Sequence, residues 1–276
     1  MDLTQAEINN SRHKLQAAPP DSWRSYDEKD PIPGYFQFDW LSSRHPDLYH
    51  RFALSTDGLM QKLHTLIDLS DRVVLDIGAG TGRSAAGVAE KARRVFALEL
   101  YQAVVMFGNS RLRQTHTTNV HYVNGDREHL PFPASCVDVV INAWAELNPL
   151  EAWRVLKQGG WLIQLGAVPN ALCGELTALL ALDYPWIPAD CAPAEVFDPG
   201  YPETTCSADS STWNGICLAG PIGIHQFTYV ADYRDCAEIA AMTGRLYGPK
   251  AKQYFLARKQ STFSWRLQII MGQVSK

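Results

Sequence analysis

The sequence predicts an α/β protein built on a doubly wound, mostly parallel sheet. Three observations carry that prediction. Short, almost continuous apolar runs rich in β-branched residues recur from residue 72 onward, as strands buried on both faces require. Helical patterns alternate with those runs, which is the rhythm of βαβ units. The first run also delivers the chain into three glycines at alternate positions, Gly78, Gly80 and Gly82, with a helix starting straight afterwards.

Taken in order, the first 70 residues are mixed. Residues 3–18 read as a helix stopped by Pro19 and Pro20, and an aromatic, proline-rich stretch follows at 31–40. Helical patterns return at 46–53 and 59–69. The alternation then begins. Residues 72–77 form a strand, 83–92 an alanine-rich helix, 94–98 a second strand, and a helix runs through about Arg113. Strands three and four fall at 120–123 and 137–141, and a helix at 149–157. Gln158, Gly159 and Gly160 turn the chain into a fifth strand at 161–165. Residues 167–224 break the rhythm with a helical stretch and a long loop rich in Pro, Gly, Ser and Cys, the pattern of a lid or binding loop. A strand at 226–230, a helix at 234–242 and a long final strand at 262–272 close the chain.

Composition excludes several classes. The 276 residues are 46% hydrophobic and 20% charged, an ordinary globular balance with room for one large domain and insertions. A formal net charge of −4, without a dense Lys/Arg stripe, argues against a nucleic-acid partner. The most apolar helical stretch, 171–182, contains Glu175 and is too short to span a bilayer. The first residues have neither a basic nor an apolar leader region, so a cytosolic address is expected. Cys136, Cys173, Cys191, Cys206, Cys217 and Cys236 show no zinc-ligand spacing, and no metal site is expected.

The segment from Val73 to Ser84 carries the chemistry. Glycines let the backbone turn sharply and approach a ligand closely, and the helix that follows offers unpaired N–H groups. A dinucleotide fingerprint would place its third glycine three residues after the second; that position is Arg83, and Gly82 comes one residue too early. The segment instead resembles motif I of the class I S-adenosylmethionine-dependent methyltransferases, with Asp76 near the end of the strand. Further matches follow in the family's order: Glu99 ending strand two, Asn124-Gly125-Asp126 after strand three, the approach to strand four from Leu130, and Glu151 to Trp161 leading into strand five.

The resemblance implies a Rossmann-like seven-stranded sheet of order 3-2-1-4-5-7-6 with strand seven antiparallel. It covers residues 70–166 well and the last fifty loosely, for a methyltransferase domain at 71–276 with an insertion at about 167–224; residues 1–70, outside it, read as an N-terminal helical and aromatic cap segment. It also implies S-adenosylmethionine as cofactor, held by Asp76, Gly78, Ala79, Gly80, Thr81 and Gly82. Glu99, with Leu100 beside it, would take the ribose hydroxyls, and Asp126, with Arg127, the adenine. Asn142 is read either as a cofactor contact or as a turn cap.

No catalytic triad is visible, and methyl transfer does not require one, since positioning and exclusion of water do most of the work. No catalytic residue is assigned. His45, His129 and His225 are candidate bases, each with a plainer reading as a surface or loop residue. Tyr35, with Phe36, Phe38 and Trp40, is a candidate cofactor cap; Trp144, Tyr184, Trp186 and Trp213 are candidates to line the acceptor pocket. Each has an alternative in plain core packing. An aromatic, weakly charged lid suits a small organic acceptor. Aminopropyl transfer on the same fold, or a non-catalytic methyltransferase-like subunit, are the competing readings.

Overall fold

The computed structural model describes residues 42, 46–168, 203–208, 212–213 and 215–276. Two compact units emerge. One comprises Asp57–Gly166, Glu203–Phe227 and Leu267–Lys276; the other comprises the described residues of Met1–Thr56, Ala167–Pro202 and Thr228–Arg266.

In the first unit, helix α2 (Gly58–Leu66) precedes strand β1 (Val73–Ile77), all five residues of which are buried. Then come α3 (Arg83–Ala89), β2 (Arg94–Glu99), α4 (Gln102–Gln114), β3 (Val120–Asn124), β4 (Val137–Ala143), α5 (Pro149–Val155) and β5 (Leu156–Ala167). Strand β1 lies parallel between β2 and β4, with β3 beyond β2 and β5 beyond β4, all parallel. The central position of β1, closed on both edges, explains why its sequence, Asp76 apart, is apolar rather than alternating.

The remaining strands are β6 (Thr204–Ala208), the short pair β7 (Thr212–Trp213) and β8 (Ile216–Cys217), β9 (Ile222–Asp232) and β10 (Thr262–Gln273). The sheet has order β3-β2-β1-β4-β5-β10-β9-β6. Its first seven positions are the expected 3-2-1-4-5-7-6, with β10 as the seventh strand and β9 as the sixth. Gly160 receives the Val274 N–H at 2.8 Å, while Val168 donates to Arg266 at 2.9 Å, which makes β10 antiparallel to β5. The eighth strand, β6, was not expected. It pairs antiparallel with β9 and lies within the stretch read as loop, as do β7 and β8. Its run of Thr, Thr, Cys and Ser is exposed, so no apolar alternation marks it as a strand.

A second difference concerns Gly159 and Gly160. They do not turn a helix into a strand. Strand β5 already begins at Leu156, and the glycines sit within it, where the register against β4 shifts between Val137 and Val139. Gly159 has φ 69°, and a Cβ on Gly160 would come within 3.0 Å of the Asp138 carbonyl oxygen. The pair therefore makes a bulge, a feature easily mistaken for a turn in sequence. Helix α5 ends sooner than expected, at Val155, for the same reason.

The core of this unit joins Leu75, Ile77, Val140, Val155, Leu156 and Leu162 with Trp213, Ile216, Leu218 and Val274.

The other unit holds helix α1 (Pro46–Ala53), α6 (Cys236–Tyr247) and α7 (Pro249–Arg258), with the continuing halves of β9 and β10. Its core is aromatic. Phe52, Phe255, Phe263 and Trp265 pack with ring centroids 5.4–6.1 Å apart, and the Trp265 indole N–H donates to Ser55 Oγ at 2.8 Å. Among the described residues no helix is long and apolar enough to cross a membrane.

Candidate functional site

The site grows from the end of β1. Gly78, Gly80 and Gly82 have φ of 72°, 55° and 80°, the left-handed region where side chains with a Cβ are strained. Two of them are also bound by space. A Cβ on Gly78 would lie 2.3 Å from the Ala145 Cβ, and one on Gly82 would lie 2.4 Å from the Tyr122 hydroxyl. Gly78 and Ala79 donate their N–H groups to the Leu98 carbonyl at 3.0 and 2.9 Å, stitching the loop to the end of β2.

Asp76 is fully buried. Its Oδ2 accepts from Ser84 Oγ at 2.6 Å, whereas Oδ1 is buried without a hydrogen-bond partner among the described residues. Burial outweighs the Ser84 hydrogen bond, the nearby Arg83 charge and the Ala85 backbone N–H, pushing the Asp76 carboxyl up to about 6. An orphaned buried oxygen of this kind costs free energy until a donor meets it.

Glu99, at 6% exposure, ends β2. One carboxylate oxygen accepts the Gly80 N–H and the other the Tyr101 N–H, both at 2.9 Å. Asn124 donates from its amide to the Glu99 and Leu100 carbonyls at 3.0 and 2.8 Å, which fixes the backbone behind that carboxylate. Beyond β3, Asp126 Oδ1 accepts the Glu128 N–H at 3.0 Å, and Arg127 pairs with Glu128 and Glu146. The loops after β3 and β4 are thus joined by charge at the same end of the sheet.

After β4, Asn142 is 3% exposed and donates to the Ile77 carbonyl at 3.1 Å, tying the end of β1 to the end of β4. Trp144 follows at φ 55°, an uncommon conformation for a bulky residue, and is 38% exposed. The Arg83 guanidinium lies 5.7 Å from its ring centroid. Arg83 also faces Asp57 at 3.8 Å; burial still raises the Asp57 carboxyl above its usual range, so desolvation exceeds that long ion pair.

The structure therefore gathers Asp76, Gly78, Ala79, Gly80, Thr81, Gly82, Glu99, Leu100 and Asn142 around one loop at the carboxyl ends of β1, β2 and β4. This is where ligands bind in open α/β sheets. Trp213, expected in a lid, is buried instead in the sheet core beside Leu218 and Gly272. His129 is exposed, and His225 lies on β9 with Nδ1 3.2 Å from Thr205 Oγ1, its pKa lowered by burial. Tyr35, Phe36, Phe38, Trp40, His45, Tyr184 and Trp186 lie outside the described residues.

Sequence reading included Ser84 and Asn124 in its motifs without giving them a role, and it missed Tyr122 and Arg111. Ser84 was within reach, being a hydroxyl on the first helical turn after the glycines. Tyr122 and Arg111 were not: they meet the loop from 42 and 30 residues away, and no local pattern announces such partners.

A mixed sheet with five parallel strands, a glycine loop after its first strand and a carboxylate ending its second has the Rossmann-like arrangement of a methyltransferase fold. Residues 74–160 match the family model described as a methyltransferase domain. Relatives agree in kind. The malonyl-acyl carrier protein O-methyltransferase of Marinomonas sp. is 30% identical over 125 residues, 42% of this chain and 46% of its own length. A probable S-adenosylmethionine-dependent methyltransferase of Mycolicibacterium smegmatis is 30% identical over 148 residues, 51% and 50% respectively. The ubiquinone/menaquinone biosynthesis C-methyltransferase of Vibrio vulnificus is 34% identical over 139 residues, 46% and 50%. The chain spans about half the length of these relatives. Among solved structures, the YcgJ protein of Bacillus subtilis aligns at TM-score 0.47 and 16% identity, covering 80% of this chain and 98% of that one.

Proposed function

We propose that this protein transfers a methyl group from S-adenosylmethionine to a small organic acceptor. The observation that carries the proposal is the glycine loop held between two buried carboxylates, with the Oδ1 of Asp76 lacking a hydrogen-bond partner among the described residues. A ligand bearing an ammonium group would supply the missing donor and stabilise the ionised carboxylate. The residues fit the cofactor in three further respects. The left-handed glycines leave the loop free of side chains, Glu99 offers acceptor capacity to a vicinal diol, and Asp126 lies after β3 for the base.

S-adenosylmethionine supplies an electrophilic methyl on a sulfonium. The protein's part is to hold donor and acceptor in line and keep water out. Asn142, buried between the ends of β1 and β4, fixes the wall on which the acceptor would rest. Trp144, braced by Arg83, presents an apolar face suited to that acceptor. The relatives are named for O- and C-methylation, so they support methyl transfer as a class and no single accepting atom.

Calorimetric titration with S-adenosylmethionine and S-adenosylhomocysteine, with NAD and NADP as controls, tests the proposal. Saturable binding of the first pair alone is expected; binding of NAD, or of none of the four, would overturn it.

A further inference from the structure

The peptide of Gly80 is held at both ends. Glu99 accepts its N–H at 2.9 Å, and the Tyr122 hydroxyl donates to its carbonyl at 2.9 Å. One residue on, the Arg111 guanidinium donates to the Thr81 carbonyl at 3.0 Å. Tyr122 comes from β3 and Arg111 from α4, so two separate elements converge on consecutive carbonyls of a loop whose glycines are otherwise the most mobile residues a chain can contain.

The fit around Tyr122 shows that its placement is built. A Cβ on Gly82 would meet the phenol oxygen at 2.4 Å, and one on Gly108 would come within 2.1 Å of Cζ and 2.2 Å of the oxygen. The ring thus fills a slot between the start of α3 and the middle of α4 that exists only because both neighbours are glycine. Burial, with Asp76 and Glu99 nearby, raises the Tyr122 hydroxyl, which keeps it protonated as a donor.

We propose that Tyr122 and Arg111 are positioning residues that hold the glycine loop in its cofactor-binding conformation from the side facing α4. This inference rests on the proposed cofactor reading. A loop with three left-handed glycines has much conformational entropy to lose on binding a ligand. Hydrogen bonds to Gly80 and Thr81 remove that freedom beforehand, so the ligand's binding free energy is not spent on ordering the loop. Neither residue is asked to touch the ligand.

The test is Tyr122→Phe, which deletes one hydroxyl and leaves the ring in its slot. Expected is a loss in S-adenosylhomocysteine affinity of about fivefold to tenfold, the scale of one hydrogen bond. Amide exchange at residues 78–82 of the ligand-free protein should quicken, with the strand β1 amides unchanged. A purely structural tyrosine would instead lower the melting temperature and leave affinity and loop exchange alike. Arg111→Met provides the second variant should Tyr122→Phe fail to fold. The two losses should be less than additive in the double variant, since both act on one loop. A parent that binds S-adenosylhomocysteine while both folded variants bind it equally well overturns this inference alone. A parent that does not bind overturns the proposed function and this role with it.

Discussion

Asp76 and Glu99 are both carboxylates nearly closed off from water, yet their surroundings treat them differently. Glu99 ends a strand with two backbone N–H donors on its two oxygens, whereas Asp76 takes the Ser84 hydroxyl on Oδ2 and, among the described residues, has no hydrogen-bond partner on Oδ1. Glu99 anchors the loop at Gly80 and, in the proposed function, would also offer acceptors to a ribose. Replacing it removes both. Glu99→Ala should weaken S-adenosylhomocysteine binding at least tenfold, about 1.4 kcal/mol, as measured by calorimetry on folded protein. Unchanged affinity would remove Glu99 from the site. At this scale the sequence was most informative: Asp76, the three glycines and Glu99 stand out because one short segment and one strand end contain them. The partners that hold them in place, Ser84 apart, come from distant parts of the chain.

Among the elements, α5 shows how local chemistry sets a boundary that the site then uses. Asn148 caps it, its side-chain oxygen accepting the Leu150 and Glu151 N–H groups at 3.1 and 3.3 Å, with Pro149 in the first turn. The Asn148 amide also donates to Glu128 at 2.9 Å, tying the helix start to the loop after β3. Within α5, Arg154 pairs with Glu151 and donates to the Phe132 and Leu130 carbonyls at 2.7 and 3.0 Å. Asn148→Ala should cost about 1 kcal/mol of stability, the usual worth of such a cap, seen as a lower denaturant midpoint at constant slope. The opposite end of α5 escaped the sequence because a helix running straight into a bulged strand has no stop signal. The edge strand β6 escaped because its exposed polar residues carry no alternation.

The charge state of the whole molecule depends on what the fold buries. With its folded-state pKa near 6 against 3.8 when unfolded, Asp76 keeps its proton longer in the native state. The native state therefore loses stability as pH rises from about 4 through 6, by roughly 3 kcal/mol in total for a fully buried group. A bound cation beside Asp76 reverses that trend, because it requires the ionised form. Comparing parent with Asp76→Asn by denaturant unfolding at pH 5 and pH 7.5 isolates this contribution. The variant should gain stability on the parent at the higher pH, and equal differences at both pH values would contradict the burial argument. Titrations of S-adenosylhomocysteine over the same range should show parent affinity rising with pH.

By itself the sequence determined the alternation of strands and helices, the glycine loop and the acids that flank it. These follow from periodicity and short-range spacing, which act over a few residues and leave their mark in them. Only the tertiary structure decided that Tyr122 and Arg111 grip the loop, that Ala145 closes over Gly78, that Trp213 belongs to the core, and that an eighth strand extends the sheet. Each of those depends on which elements become neighbours. Neighbourhood is set by packing of the whole sheet, a long-range outcome that no window of sequence contains.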